Sequence, residues 1–92
     1  MLITLRQLQY VAAVSETGSF SKAAELCNVD QSTVSQQIKL LESKLNIDIF
    51  NREFQPIILT PEGIEVVKKA KEILEKVEEL LKPFKVIPKP FQ

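Results

Sequence analysis

The stretch from Gly18 to Leu45 leaves this chain few ways to fold. It holds two helical patterns separated by only a few residues. Asn28 falls where a tight turn wants a left-handed residue, and Asn tolerates that conformation better than most residues with a side chain. Ser19 or Ser21 can cap the first helix, expected over about 21–27. Its Ala23 and Ala24 are small enough to let a second helix cross closely. Val29 plugs the turn, and Asp30 is the expected N-cap of a helix over 31–45. On that helix Val34, Ile38, Leu41 and Leu45 recur at spacings of four, three and four, one apolar face. Asn46 then takes a glycine-like C-terminal position. Two helices joined in this way form a helix-turn-helix.

The flanks extend the pattern. Thr4 and Gln7 form the signature of a capping box, and Leu5, Leu8, Val11, Ala12 and Val14 give the following helix an apolar stripe. That helix is expected to stop near Thr17, with Gly18 as its left-handed C-terminal residue. Ile47–Phe50 and Ile57–Leu59 are β-prone runs around Asn51–Pro56, the pattern of a small hairpin. Thr60, Pro61 and Glu62 open a last helix, expected to run to about Lys82 and stop at Pro83. Its apolar residues recur with a period of about 3.5, too long a stripe for a small core to cover. Beyond the first turns, which can pack on the chain's own core, the stripe is expected to pair with a second subunit. The candidate pairing residues are Val67, Ala70, Ile73, Leu74, Val77, Leu80 and Leu81. The expected fold is mainly α: a winged helix-turn-helix of three helices and a small β-hairpin wing, then a long dimerisation helix. The expected division is 1–60 for the winged unit, 61–82 for the linker helix, and 83–92 for an extended or disordered tail with Pro83, Pro88 and Pro90.

Composition narrows the function. The chain has no His and one cysteine, Cys27. That excludes an internal disulfide and a metal site of the usual His/Cys kind, and leaves a thiol nucleophile without an imidazole base. No nucleophile–base pair or phosphate loop is present, so neither an enzyme nor a cofactor is expected. No apolar run approaches the roughly 20 residues of a membrane span, and no export signal opens the chain. A reducing cytosol is the expected compartment.

The face of the 31–45 helix opposite its apolar residues points to a partner. Ser32, Ser35, Gln36 and Lys39 share one side, with Gln31 and Thr33 near its start. Gln can pair bidentately with adenine, Ser and Thr hydroxyls adapt to either role, and the Thr methyl can touch a thymine methyl. Lys39 lies farther along and suits a phosphate. With no Arg on this face, strong guanine readout is not expected. The competing reading is an ordinary solvated face. The lack of any acid on the stripe argues against it, because acids are as common as bases in the chain, 12 of each. Double-stranded DNA is therefore the expected partner. Ser21, like Ser19, can donate to phosphate or merely cap. Arg52 and Gln55 can reach the backbone or minor groove, or Arg52 can anchor the wing. Residues 1–60 carry five basic and six acidic side chains, net −1. A monomer should bind weakly and with modest salt dependence, needing helix N-termini, neutral donors and a second subunit.

The linked motifs Leu5–Tyr10, Gly18–Ala24, Gln31–Ile38, Leu41-Glu42, Phe50-Asn51-Arg52 and Leu59–Gly63 resemble the N-terminal domain of LysR-type transcriptional regulators. The resemblance runs from about residue 4 to 80. It implies a dimer through antiparallel linker helices, reading an inverted repeat with Gln31, Ser32, Thr33, Ser35 and Gln36 while the wing touches the flanking groove. Gln36 stands where the family frequently has Arg, and Gln55 where a basic residue can stand, which lowers the expected affinity. Such regulators carry a much larger effector-binding domain, for which 92 residues leave no room, so no small-molecule ligand is expected here. RNA polymerase is a candidate further partner, and a bacterial nucleoid the expected place. The alternative is a short dimeric interaction module that antagonises a full-length regulator.

Overall fold

The computed structural model describes residues 2–84. Its elements are α1 (Leu5–Thr17), α2 (Phe20–Cys27), α3 (Gln31–Leu45), β1 (Phe50–Asn51), β2 (Ile58–Leu59) and α4 (Pro61–Leu81), followed by a 3-10 turn over Lys82–Phe84. This is a winged helix-turn-helix ending in a long helix.

Local chemistry sets the helix ends. Thr4 Oγ1 accepts from the Gln7 N–H at 3.1 Å, and Gln7 Oε1 accepts from the Thr4 N–H at 3.0 Å, completing the capping box of α1. Gly18 closes α1 at φ 69°, its N–H donating to the Val14 carbonyl. Of the two serines offered as the cap of α2, Ser19 takes the role, accepting from the Lys22 N–H at 3.1 Å. The helix thus begins one residue earlier than expected, and Ser21 lies in its first turn. Asn28 and Asn46 adopt φ values of 59° and 57°, the left-handed region, where each stops a helix and redirects the chain. Asp30 occupies the N-cap of α3, yet its side chain makes no capping bond.

The three short helices share one core. Val11, Ala13 and Val14 of α1, Ala23 of α2, and Val34, Ile38 and Leu41 of α3 are fully buried. The alanines remove the bulk that would hold the helices apart. Phe20, Val29 and Leu45 cover its rim.

The hairpin is smaller than its sequence suggests. Only Phe50↔Leu59 and Asn51↔Ile58 pair as antiparallel strands. Ile47 and Ile49 leave strand geometry and act as core plugs, Ile49 with no exposed surface. The Ile49 N–H goes to the Glu42 carboxylate at 2.8 Å instead of to a neighbouring strand.

Helix α4 starts as expected, with Thr60 Oγ1 accepting from the Gly63 N–H at 2.9 Å and Pro61 in the first turn. Its course corrects part of the subunit-pairing assignment. Val67 and Ala70 are 6% and 1% exposed inside the chain's own core, against α1, and have almost no surface to offer a partner. Gly63 is the physical reason. A Cβ at this position would lie 1.9 Å from the Ile49 carbonyl oxygen, so only glycine lets α4 start flush on the core. Farther along, the stripe emerges: Ile73 and Leu80 are 40% and 65% exposed, while Leu74, Val77 and Leu81 are half-buried. Pro83 lies within the 3-10 turn, and residues 85–92, expected to be extended, lie outside the described residues.

Gly63→Ala is expected to cost at least about 1–3 kcal/mol, the range for overpacking, because the obstacle is backbone. At about 4–8 °C per kcal/mol for a domain of this size, the loss is readable in a thermal melt followed by circular dichroism. An unchanged midpoint would contradict the close approach.

Candidate nucleic-acid interface

The polar face of α3 is presented by the helix's own periodicity. Val34, Ile38 and Leu41 turn inward, which leaves Gln31, Ser32, Gln36 and Lys39 exposed and Thr33 and Ser35 half-buried at its edge. The six candidate reading residues therefore share one accessible surface. Gln37, the neighbour of Gln36, behaves differently. The buried Gln7 amide donates to Gln37 Oε1 at 3.1 Å, tying that side chain back to α1. Gln7 thus caps α1 with its oxygen and braces α3 with its nitrogen. The first role was legible in the Thr4–Gln7 spacing; the second depends on a contact thirty residues away.

The only acid on α3 is Glu42, and both its oxygens are hydrogen-bonded. Oε2 accepts from the Ile49 N–H, and Oε1 accepts from Arg52 Nη2 at 3.1 Å. The Arg52 guanidinium also lies 4.8 Å from the centroid of the Phe20 ring, which meets Phe50 edge-on at 6.0 Å. These contacts support the anchoring role open to Arg52: a charge-assisted bond and a cation–π contact join the wing to α3 and α2. Glu42 had been visible only as part of a motif. Its role required knowing that the chain turns back after Asn46.

The other candidates are apart from this cluster. Ser21 is exposed near the start of α2. Gln55 is exposed in the wing loop, whose base is fastened by the Ile57 N–H donating to the Gly18 carbonyl at 3.0 Å. Between the second half of α3 and the wing runs an open polar groove, with Lys39, Glu42, Ser43 and Asn46 on one wall and Asn51, Arg52 and Glu53 on the other. On the far side, Ile3, Leu8, Leu45, Val66, Ala70 and Ile73 line an apolar hollow of about 240 Å³ beside the emerging α4 stripe.

Cys27 is 2% exposed, and burial pushes its thiol up from the ordinary value, partly offset by the charge of Arg6. It is a core side chain. Among the described residues, no cluster of His, Cys, Asp and Glu could hold a metal ion, and no helix is long and apolar enough to cross a membrane.

The Glu42 clasp makes unequal predictions for its two ends. Glu42→Ala strands the buried Ile49 N–H and should cost about 1–3 kcal/mol in chemical denaturation. Arg52→Ala breaks a pair whose arginine is 39% exposed and should cost no more than about 1 kcal/mol. Equal losses would overturn this division of roles.

Comparison with known proteins agrees with the geometry. The family model described as bacterial regulatory helix-turn-helix protein, lysR family, matches residues 5–64. The hydrogen peroxide-inducible genes activator of Haemophilus influenzae is 38% identical over 69 residues, covering 75% of this chain and 23% of that protein. A probable RuBisCO transcriptional regulator of Trieres chinensis is 47% identical over 60 residues, covering 65% of this chain and 19% of that protein. The chain thus spans about a fifth of the length of these curated relatives. Among solved structures, a complex of the BenM DNA-binding domain with benA site 1 DNA superposes with a TM-score of 0.85 at 36% identity, covering 90% of this chain and 93% of that one. Vibrio fischeri DarR in complex with DNA gives 0.85 at 30% identity, covering 91% and 29%. These relatives are transcriptional regulators rather than enzymes.

Proposed function

We propose a function that starts from one fact: the chain belongs to the lysR family of bacterial regulatory helix-turn-helix proteins. It binds duplex DNA as a homodimer and serves transcription regulation. The observation that carries this reading is the polar face of α3, with Gln31, Ser32, Gln36 and Lys39 exposed and the helix's one acid, Glu42, engaged by the Ile49 N–H and by Arg52. Gln31 and Gln36 contact base edges, Ser32, Thr33 and Ser35 contact bases or the adjacent backbone, and Lys39 and Ser21 meet phosphate. Gln55 on the wing reaches the flanking groove, where Arg52 acts by holding the wing in place.

The dimer forms through the exposed part of α4. Ile73, Leu74, Val77, Leu80 and Leu81 continue from the apolar hollow and pair with the same surface of a second copy. The winged unit spans 1–60 and the linker helix 61–82, with the first turns of that helix built into the winged unit's core. Two copies of α3 then read an inverted repeat with half-sites one helical turn, about 34 Å, or a multiple of it apart. The bacterial cytoplasm, on the nucleoid, is the compartment of this activity, and RNA polymerase is the further partner. The equal numbers of acids and bases favour a second reading, an interaction module that pairs with a longer regulator and antagonises it.

Alanine at Gln31 and Gln36 discriminates the two. On the first reading each substitution weakens binding to a selected duplex by about five- to hundredfold in an anisotropy titration, with the dimer intact by sedimentation. On the second, DNA is irrelevant and partner binding is unchanged. Val77→Glu should weaken the dimer and lower DNA affinity with it, because both half-sites must be engaged together. Wild-type affinity from a monomeric Val77→Glu variant would rule out the dimeric reader.

A further inference from the structure

The wing carries a feature that charge-based DNA contact does not use. Between Phe50 and Leu59 the only charged residues are Arg52 and Glu53. Arg52 is paired to Glu42 and laid over Phe20, and Glu53 repels phosphate. The wing therefore offers a duplex no uncommitted cation. At its tip stands Phe54, 52% exposed, between Glu53 and Gln55.

That ring is displayed on a braced support. The Asn51 side chain accepts from the Glu53 N–H at 3.1 Å and shapes the loop just before it. On the β1 side Arg52 is tied to α3. On the β2 side the Ile57 N–H is tied to Gly18, and Pro56 lies so close to Gly18 that a Cβ there would stand 2.6 Å from the Pro56 Cβ. An apolar group held this way loses little conformational freedom on binding. The wing and the second half of α3, Lys39 included, are the two walls of one open groove. A duplex seated on the Gln31–Lys39 face thus brings its flanking groove to the wing.

From this we infer that Phe54 is an apolar wedge, which enters the minor groove flanking each half-site and partly unstacks one base step. The inference rests on the DNA-binding reading above and deepens it. Apolar side chains, Phe among them, are used in this way by minor-groove proteins, and they act best at easily unstacked pyrimidine–purine steps. The wedge adds specificity through DNA deformability without adding phosphate contacts, which suits a domain with so few free cations.

The test uses the 92-residue chain and duplexes recovered by its own selection from a random pool, with 2-aminopurine placed at successive flanking positions. The wild-type protein should raise the fluorescence at one flanking step per half-site. Phe54→Ala should abolish that rise and weaken binding by about five- to hundredfold, the range for losing one base–aromatic contact. The slope of log affinity against log salt should stay the same, because no phosphate contact is lost. Phe54→Leu, still a wedge, should retain the rise. A Phe54→Ala variant with wild-type affinity and fluorescence would overturn the inference. So would wild-type binding without any fluorescence rise. Failure of the wild-type chain to recover any duplex overturns the DNA-binding reading itself, a different and recognisable result.

Discussion

The backbone of Ile49 joins the helix that carries the polar face to the helix that carries the exposed apolar stripe. Its N–H is held by Glu42 of α3, its carbonyl accepts from the Thr60 N–H at 3.0 Å, and the Cα of Gly63 lies against that same carbonyl. Its side chain is sealed in the core. One residue thus links the start of α4 to α3. In a dimer built on α4, the angle between these helices sets the separation and tilt of the two reading helices, which a duplex of fixed pitch can accept only within narrow limits.

The same junction shapes the electrostatics. On the proposed reading, Glu42 would place negative charge on the helix that approaches phosphates. Its two bonds instead turn it toward the wing, where it takes Arg52 with it. The cost is a cation no longer free for DNA. What remains is a near-neutral surface of amides and hydroxyls with Lys39 at its edge. On the proposed reading, such a surface gains little from counterion release, and affinity comes from neutral donors, from an apolar contact at the wing, and from doubling the site.

Much of this was legible in the sequence because it is local. The Thr4–Gln7 box, Gly18, the two left-handed asparagines and the Thr60–Pro61 start each act within a few residues, and they bounded the helices closely. The four-three-four spacing on α3 likewise set its buried and exposed faces. What escaped depends on distant partners. The β-prone Ile47–Ile49 run fails to form a strand because Glu42 captures its backbone. Val67 and Ala70 look like a dimer seam until Gly63 presses α4 into the core. The contacts of Arg52 with Glu42 and Phe20 also join distant parts of the chain. Periodicity shows that a stripe is apolar, not which protein covers it.

The central claim is that a dimer of this chain reads base sequence through α3. The most direct measurement is selection from a random duplex pool at moderate salt, followed by sequencing of the recovered sites. The account predicts an inverted repeat with A·T-rich half-sites, since the reading face has Gln but no Arg. Recovery of no shared motif by a folded, dimeric protein would contradict it.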